Sequence, residues 1–353
     1  IEHPPVECVF TTEEEVGLNG AKALDKSVLK ARTMINMDSE DEGVATVSCA
    51  GGLRVQFTKE IKRTTVQGSL LTLKVEGLLG GHSGQDIDKE RQNADLLMAR
   101  MIQRLLKETK GQLVSFNGGT KDNAIPRECE ASLIYESDEE AAKAEELACE
   151  LAETYAEELT PAEPDFSCEI SCETNRTAEA IPQDAAKEFI CAMRLAPNGI
   201  QKRNIKMDGF VVVSLNLGVV RTEEDRIVMI FSPRSSVASL QEDTKERLNT
   251  LAETFGFTVS HSSEYPGWSF KEDSPVREIC KESYKELFGE DLKIEAIHAG
   301  LECGLFSDAI KGLDAIAIGP TIANCHTPDE YLTLDSFERF YEFLKDILSR
   351  LAK

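Results

Sequence analysis

Positive charge is scarce in this sequence: 39 lysines and arginines stand against 63 aspartates and glutamates, a formal net charge of −24 over 353 residues. A surface of that sign repels phosphate backbones and anionic headgroups, which argues against nucleic acid and membrane surfaces as partners. Its plainest consequence is solubility. Long apolar runs are missing too, and none approaches the ~20 residues that span a bilayer. The ten cysteines form no Cys-x-x-Cys pair; the closest two are Cys168 and Cys172. Thiols scattered through a long chain point to a reduced, cytoplasmic protein rather than a disulfide frame. No Walker loop and no zinc-finger spacing occur, and Gly17-x-x-Gly20 falls short of a dinucleotide fingerprint.

What is present is enough apolar sequence, 41%, for more than one core. At this length two domains are expected. Residues 6–12 read as a buried strand ending at the acidic cluster Thr11–Glu15. A short helix follows near Ala21–Leu24, then a strand over Thr33–Met37 that again ends at carboxylates. From about Gly52 the pattern changes. Strand-like runs at 70–75, 113–116, 131–135, 166–169, 210–217 and 226–231 alternate with helical periodicity over 89–106, 138–159, 184–195 and 236–255. After Tyr265-Pro-Gly-Trp268 the strand–helix alternation resumes, with a helix at 275–288, strands at 293–297 and 313–319, and a terminal helix at 335–352. The expected fold is therefore α/β, with residues 1–52 and 266–353 forming a split catalytic domain and 53–265 an inserted, enlarged α+β sandwich. Two-part architectures place small-molecule sites in clefts. Because the chain opens at Ile1 and runs at once into an apolar stretch, an N-terminal truncation is expected.

Several polar groups stand where strands end, the usual place for chemistry in α/β proteins. Glu14 and Glu15 can serve as general base and metal ligand, or as acids opening a helix. Asp38 can be a ligand on a strand end or a turn initiator. His326, in Cys-His-Thr-Pro-Asp-Glu, can bind metal or simply hydrogen-bond within its loop. His298 and Glu302 flank a glycine that allows a substrate backbone to come close, or they mark a helix entry. His82, in Gly-Gly-His-Ser-Gly, can donate to an oxyanion or be an exposed turn residue. Asn123 can polarise a carbonyl and Arg127 bind an anion, although a β-turn also accounts for that segment. Arg234 can clamp a carboxylate or pair with surface acids.

Taken together and in order, these segments resemble the aminoacyl-histidine dipeptidases, members of the co-catalytic zinc peptidase group that includes carboxypeptidase G, aminoacylases and peptidase T. The resemblance runs through Thr12-Glu-Glu-Glu-Val-Gly17, Asn36-Met-Asp-Ser-Glu40, Gly80-Gly-His-Ser-Gly84, Phe116-Asn-Gly-Gly-Thr120, Asn123-Ala-Ile-Pro-Arg-Glu128, Tyr265-Pro-Gly-Trp268, His298-Ala-Gly-Leu-Glu-Cys-Gly-Leu-Phe306 and Ile318-Gly-Pro-Thr321. It implies hydrolysis of Xaa-His and related short unblocked dipeptides at a pair of divalent metals, zinc above all. Glu14 would be the general base and Glu15, Asp38 and His326 metal ligands. His82 would stabilise the oxyanion, and Asn123, Arg234, Glu302 and His298 would contact substrate. Glu302 would face the free amino group and Arg234 the carboxylate. A homodimer through the inserted domain is also implied.

The family's His-x-Asp motif and its bridging Asp precede the Thr-Glu-Glu-Glu segment and do not occur in these residues. Activity is accordingly expected of the complete protein, with a missing part of about 100 residues, a half-domain in size. The alternatives are an aminoacylase, tripeptidase or carboxypeptidase of the same group, or a non-catalytic assembly or binding module.

Overall fold

A computed structural model of the chain describes every residue except 15–16, 206–208, 326 and 353. The first stretch carries α1 (Asn19–Ala23), β1 (Thr33–Asn36) and β2 (Val44–Cys49). Then come β3 (Gly51–Glu60), β4 (Thr64–Glu76), β5 (Gly81–His82), α2 (Ala94–Glu108), β6 (Gln112–Gly118), β7 (Ala124–Ile125) and β8 (Cys129–Tyr135). The middle continues through α3 (Asp138–Leu159), β9 (Ser167–Ala180), α4 (Gln183–Leu195), β10 (Gly199–Arg203), β11 (Val211–Thr222), β12 (Arg226–Ser235), α5 (Ala238–Thr254) and β13 (Thr258–Tyr265). The last stretch holds α6 (Pro275–Phe288), β14 (Lys293–Ile297), α7 (Glu302–Ala309), β15 (Asp314–Ala317), β16 (Ile322–Ala323), β17 (Tyr331–Leu332) and α8 (Leu334–Leu351).

These elements form two compact units. One comprises residues 1–52, 235–238 and 265–353; the other comprises 53–234 and 239–264. In the first, a four-stranded sheet runs in the order β1-β15-β2-β14. β1 lies parallel to β15 and β14 parallel to β2, while β15 and β2 are antiparallel. α8 presents Ser336, Phe340, Phe343 and Ile347 inward at the three-to-four spacing of one helix face. Phe343 meets Tyr284 of α6 edge-on at 5.2 Å. α6 starts where Ser274 accepts the Arg277 amide, with Pro275 in its first turn, and stops at Gly289 in the left-handed region.

The second unit is built on a nine-stranded sheet, ordered β13-β3-β12-β11-β6-β8-β4-β9 with β10 alongside β11. β4 buries Leu71, Leu73 and Val75 on alternate positions, while β11 is buried on successive residues, as a central strand covered on both faces must be. α2, α3, α4 and α5 share one core with those inward residues. Ser137 caps α3 by accepting from Glu140, and three acids fill its first turn, favourable at the positive end of the helix dipole. Among the described residues no helix is long and apolar enough to cross a membrane.

Two expectations need correction. Residues 6–12 form no strand: Val6, Val9 and Phe10 are exposed, and Phe10 is 89% accessible. A strand needs a neighbouring edge for its amides, and no described strand pairs with this stretch. The helix expected from residue 89 starts instead at Ala94. Ile87–Lys89 close a 3-10 turn ending at Glu90 with φ 51°, and Asn93 then caps α2 by accepting from the Asp95 and Leu96 amides.

Asp95 is wholly buried, with Gly118 packed so close that any β-carbon there would strike its carboxyl. Among the described residues neither oxygen makes a well-formed hydrogen bond. Burial pushes its pKa up to about 8, partly offset by the Cys129 thiol and the Arg221 guanidinium. The folded chain therefore keeps a proton that the unfolded chain releases near pH 4. Its stabilising contribution is complete below that point and is lost as pH rises through about 8. Asp95→Asn should gain on the parent as pH rises from about 5 to about 8, by roughly 1–4 kcal/mol in urea unfolding; a pH-independent difference would contradict the buried neutral carboxyl.

Candidate active site

In the first unit the acidic segment is fixed by backbone before any side chain is considered. The Glu14 carbonyl accepts from the Gly17 and Leu18 amides at 3.1 and 2.9 Å, turning the chain into α1. Glu13 adopts φ 57°, and its carboxylate accepts from Asn19 at 3.1 Å. The Gly20 amide donates to the Thr12 carbonyl at 2.9 Å. Glu14 is left half-buried at the apex of this turn.

Thr11 reaches across 291 residues of sequence, its hydroxyl donating to Oε2 of Glu302 at 3.0 Å. Glu302 is the first residue of α7, and His298 follows the last residue of β14; they are 9% and 7% exposed. Oε1 of Glu302 is buried and makes no hydrogen bond among the described residues. A buried carboxylate with one oxygen engaged is poised for a cationic donor.

Asp38 follows β1, its amide held at 2.9 Å by Oδ1 of Asn36. Ser39 lies so close to Gly319 that a β-carbon on the glycine would overlap the Ser39 carbonyl. This approach lays the segment after β15 along the segment after β1. The Ile322 amide donates to the Glu40 carbonyl at 2.9 Å. Burial raises the Cys325 thiol to about 11, and a hydrogen bond with the Glu40 carboxylate adds to it. Asp38 and Glu302 both act on the fully buried Cys303 thiol, raised first by burial and then by Cys49. Asp38, Glu302 and the loop before His326 thus share one neighbourhood of this unit.

Glu15 and His326, the other expected metal ligands, lie outside the described residues. Among the described residues no three His, Cys, Asp or Glu side chains are grouped to hold a metal ion. The fit therefore rests on the anchoring at Glu40, which places the neighbours of His326 on the Asp38 segment, and on a carboxylate–imidazole donor set of the kind zinc accepts.

In the second unit the short pair β5–β7 sets His82 opposite Ala124. The Ser83 amide donates to the Asn123 carbonyl at 2.9 Å, so Asn123, exposed, lies across from Ser83, one residue along from the His82–Ala124 pair. Nδ1 of His82 accepts from the Gly84 and Gln85 amides at 3.2 and 3.0 Å. Two donors on Nδ1 require a neutral ring to carry its proton on Nε2, leaving that N–H as the outward donor. Burial lowers the His82 pKa and the Arg234 cation lowers it further, while Asp86 opposes them. Arg234 is itself buried, 7% exposed. Arg127 serves the scaffold: its Nε donates to the Leu78 carbonyl at 3.0 Å and its stem covers Gly80.

Thr11, Glu40 and Asp86 were not singled out from sequence as working residues. Nothing in their spacing marks them, because their partners are set by close backbone approaches rather than periodicity. Cavities of about 380 and 370 Å³ occur within the first and second units, and among the described residues none of the expected site residues lines either.

Comparison with known proteins points the same way. The sequence pattern of peptidase family M20/M25/M40 matches residues 2–350. The chain is 33% identical to the cytosol non-specific dipeptidase of Escherichia coli (strain K12) over 355 aligned positions, covering 99% of this chain and 72% of that protein. Its structure is similar to that of aminoacylhistidine dipeptidase from Vibrio alginolyticus, with a TM-score of 0.92 and 34% identity, covering 96% of this chain and 69% of that one.

The ring environment of His82 can be checked by NMR titration. Its pKa should lie below the ordinary histidine value and move upward in Arg234→Met, without reaching that value because burial persists. No movement would separate Arg234 from His82.

Proposed function

The chain belongs to peptidase family M20/M25/M40, and from that premise we propose that the complete protein is a metal-dependent dipeptidase acting on short unblocked dipeptides, Xaa-His among them. The observation that carries this reading is the Thr11–Glu302 bond, which sets a buried carboxylate with one open oxygen beside the Glu14 turn and within the Asp38 neighbourhood.

The proposed roles are those the family resemblance implies, supported where noted by local geometry. Oε1 of Glu302 accepts from the ammonium of an unblocked N-terminus, and a blocked substrate leaves that oxygen buried and unpaired, at a cost of about 1–3 kcal/mol. Arg234 recognises the terminal carboxylate and Asn123 the peptide amide, with His298 beside Glu302. The Nε2–H of His82 donates to the scissile carbonyl oxygen as it gains negative charge, which a depressed pKa favours because the ring stays neutral. Glu14 takes a proton from the attacking water. The water oxygen bonds to the carbonyl carbon, the C–N bond breaks, and Glu14 passes its proton to the leaving amine. Glu15, Asp38 and His326 would hold metal, zinc by their donor types; when bound, a metal pair supplies Lewis acidity and favours hydroxide at neutral pH.

Glu14→Gln in the complete zinc-loaded protein should keep its metal content, measured by elemental analysis, while turnover of an Xaa-His dipeptide falls by roughly 10²–10⁴. Turnover at the parent rate would remove Glu14 from the reaction. Chelation should abolish parent activity and added zinc restore it. A panel of carnosine, a tripeptide and an N-acetyl amino acid decides specificity, with the unblocked dipeptide expected to be preferred.

A further inference from the structure

Gly52, Gly300 and Gly304 are not explained by backbone conformation: none has the positive φ that favours a glycine. An alanine is therefore compatible with the backbone at each, and what excludes it is a neighbour. At Gly52 an added β-carbon would lie 2.7 Å from the Tyr265 hydroxyl oxygen and 2.9 Å from Cζ. At Gly300 it would lie 2.8 Å from Cε2 of the same ring, and the next nearest atoms also belong to Tyr265. Tyr265 thus occupies a slot whose walls are bare backbone, one from the start of β3 and the other from the turn between His298 and Glu302.

The residues after Tyr265 extend the same contact. A β-carbon at Gly304 would meet the Pro266 carbonyl. Trp268 exchanges both backbone hydrogen bonds with Cys49, at 2.9 and 3.0 Å, and the Ser48 hydroxyl donates to its carbonyl at 2.7 Å. The Ala50 amide is shared between the Ile297 and Ala299 carbonyls at 3.2 and 3.1 Å. The His298–Glu302 turn is therefore held from one side by the end of β2 and from the other by Tyr265–Pro266. The first contact is backbone hydrogen bonding; the second combines the Pro266 carbonyl with the Tyr265 ring.

We propose that Tyr265 is a positioning residue: its ring, wedged between Gly52 and Gly300, sets the angle of the His298–Glu302 turn and so the place where Glu302 meets the substrate amino group. The last clause rests on the dipeptidase reading above; the wedge itself does not. The ring acts by volume. Tyr265→Phe keeps the ring against Gly300 and loses only the hydroxyl that faces Gly52, Tyr265→Ala removes the wedge, and Gly300→Ala drives a methyl into it.

The test uses the complete protein and compares an unblocked dipeptide with its N-acetylated form, by kcat/KM and by calorimetric binding to the metal-free protein. Tyr265→Phe should retain the parent's preference for the free amino group within about threefold. Tyr265→Ala and Gly300→Ala should each reduce that preference by roughly ten- to a hundredfold, the scale of an ångström-size misplacement. A loss of folded fraction alone lowers activity on both substrates and leaves their ratio unchanged. The double variant Tyr265→Ala/Gly300→Ala gives the new methyl room and should recover part of the loss, a coupling that independent defects do not show. An unchanged ratio in both single variants, or strictly additive effects in the double variant, overturns the proposal. If the parent itself shows no preference for the free amino group, the substrate reading fails, and the wedge is judged by the His298 imidazole resonances. These should shift in Gly300→Ala and return toward the parent in the double variant; unmoved resonances overturn the wedge as well.

Discussion

The hydrogen bond from Thr11 to Glu302 joins residues 291 positions apart and gives the acidic segment its structural meaning. A carboxylate that is 9% exposed needs partners, because an unpaired buried charge costs far more than a typical hydrogen bond contributes. Thr11 satisfies one oxygen and in doing so ties the Glu13–Glu14 turn to the start of α7. The strandless residues before it are anchored separately, where the Glu7 carboxylate accepts from the Lys30 and Ala31 amides at 3.0 and 2.9 Å.

A second constraint is steric. Gly319 against the Ser39 carbonyl, Gly20 against Thr12, and Gly52 and Gly300 around Tyr265 are all places where backbone must pass something closely. Three of these four lie beside a residue of the candidate site. Loops held in this way keep their position without a large apolar core beneath them. The core of this unit is indeed modest there, with Cys49, Trp268, Cys303, Ala315 and Ala317 forming one small cluster. The second unit orders its site differently. His82 is fixed by two amides on Nδ1 and by the β5–β7 register, both resting on a sheet with one extensive core. In both units the backbone sets the protonation or orientation of a side chain before any substrate is involved.

Much of the secondary structure was legible from pattern alone. α3 and α6 fall on the expected 138–159 and 275–288, because a capping serine, acids in the first turn and three-to-four periodicity all agree there. β14 falls on the expected 293–297. The failures have physical causes as well. Val6–Phe10 has the composition of a strand, but composition cannot supply a pairing edge. Residues 89–93 have helical residue types, but the left-handed Glu90 and the Asn93 cap delay the helix. β2, β3, β10 and β13 were not anticipated, nor were the two-residue strands β5, β7, β16 and β17.

From the sequence alone came the chemistry: which carboxylates, imidazoles and guanidinium are available, and the ordered set of motifs that allies the chain with peptidase family M20/M25/M40. Residue type and order are one-dimensional properties, and a family pattern is written in them. The tertiary structure decided what each group can do. The donor pair on His82 selects its tautomer, burial and then Arg234 depress its pKa, Thr11 occupies one oxygen of Glu302, and the Tyr265 ring packs against glycines that no turn requires. All but the local His82 pair depend on atoms brought together from distant parts of the chain, at separations that only packing fixes.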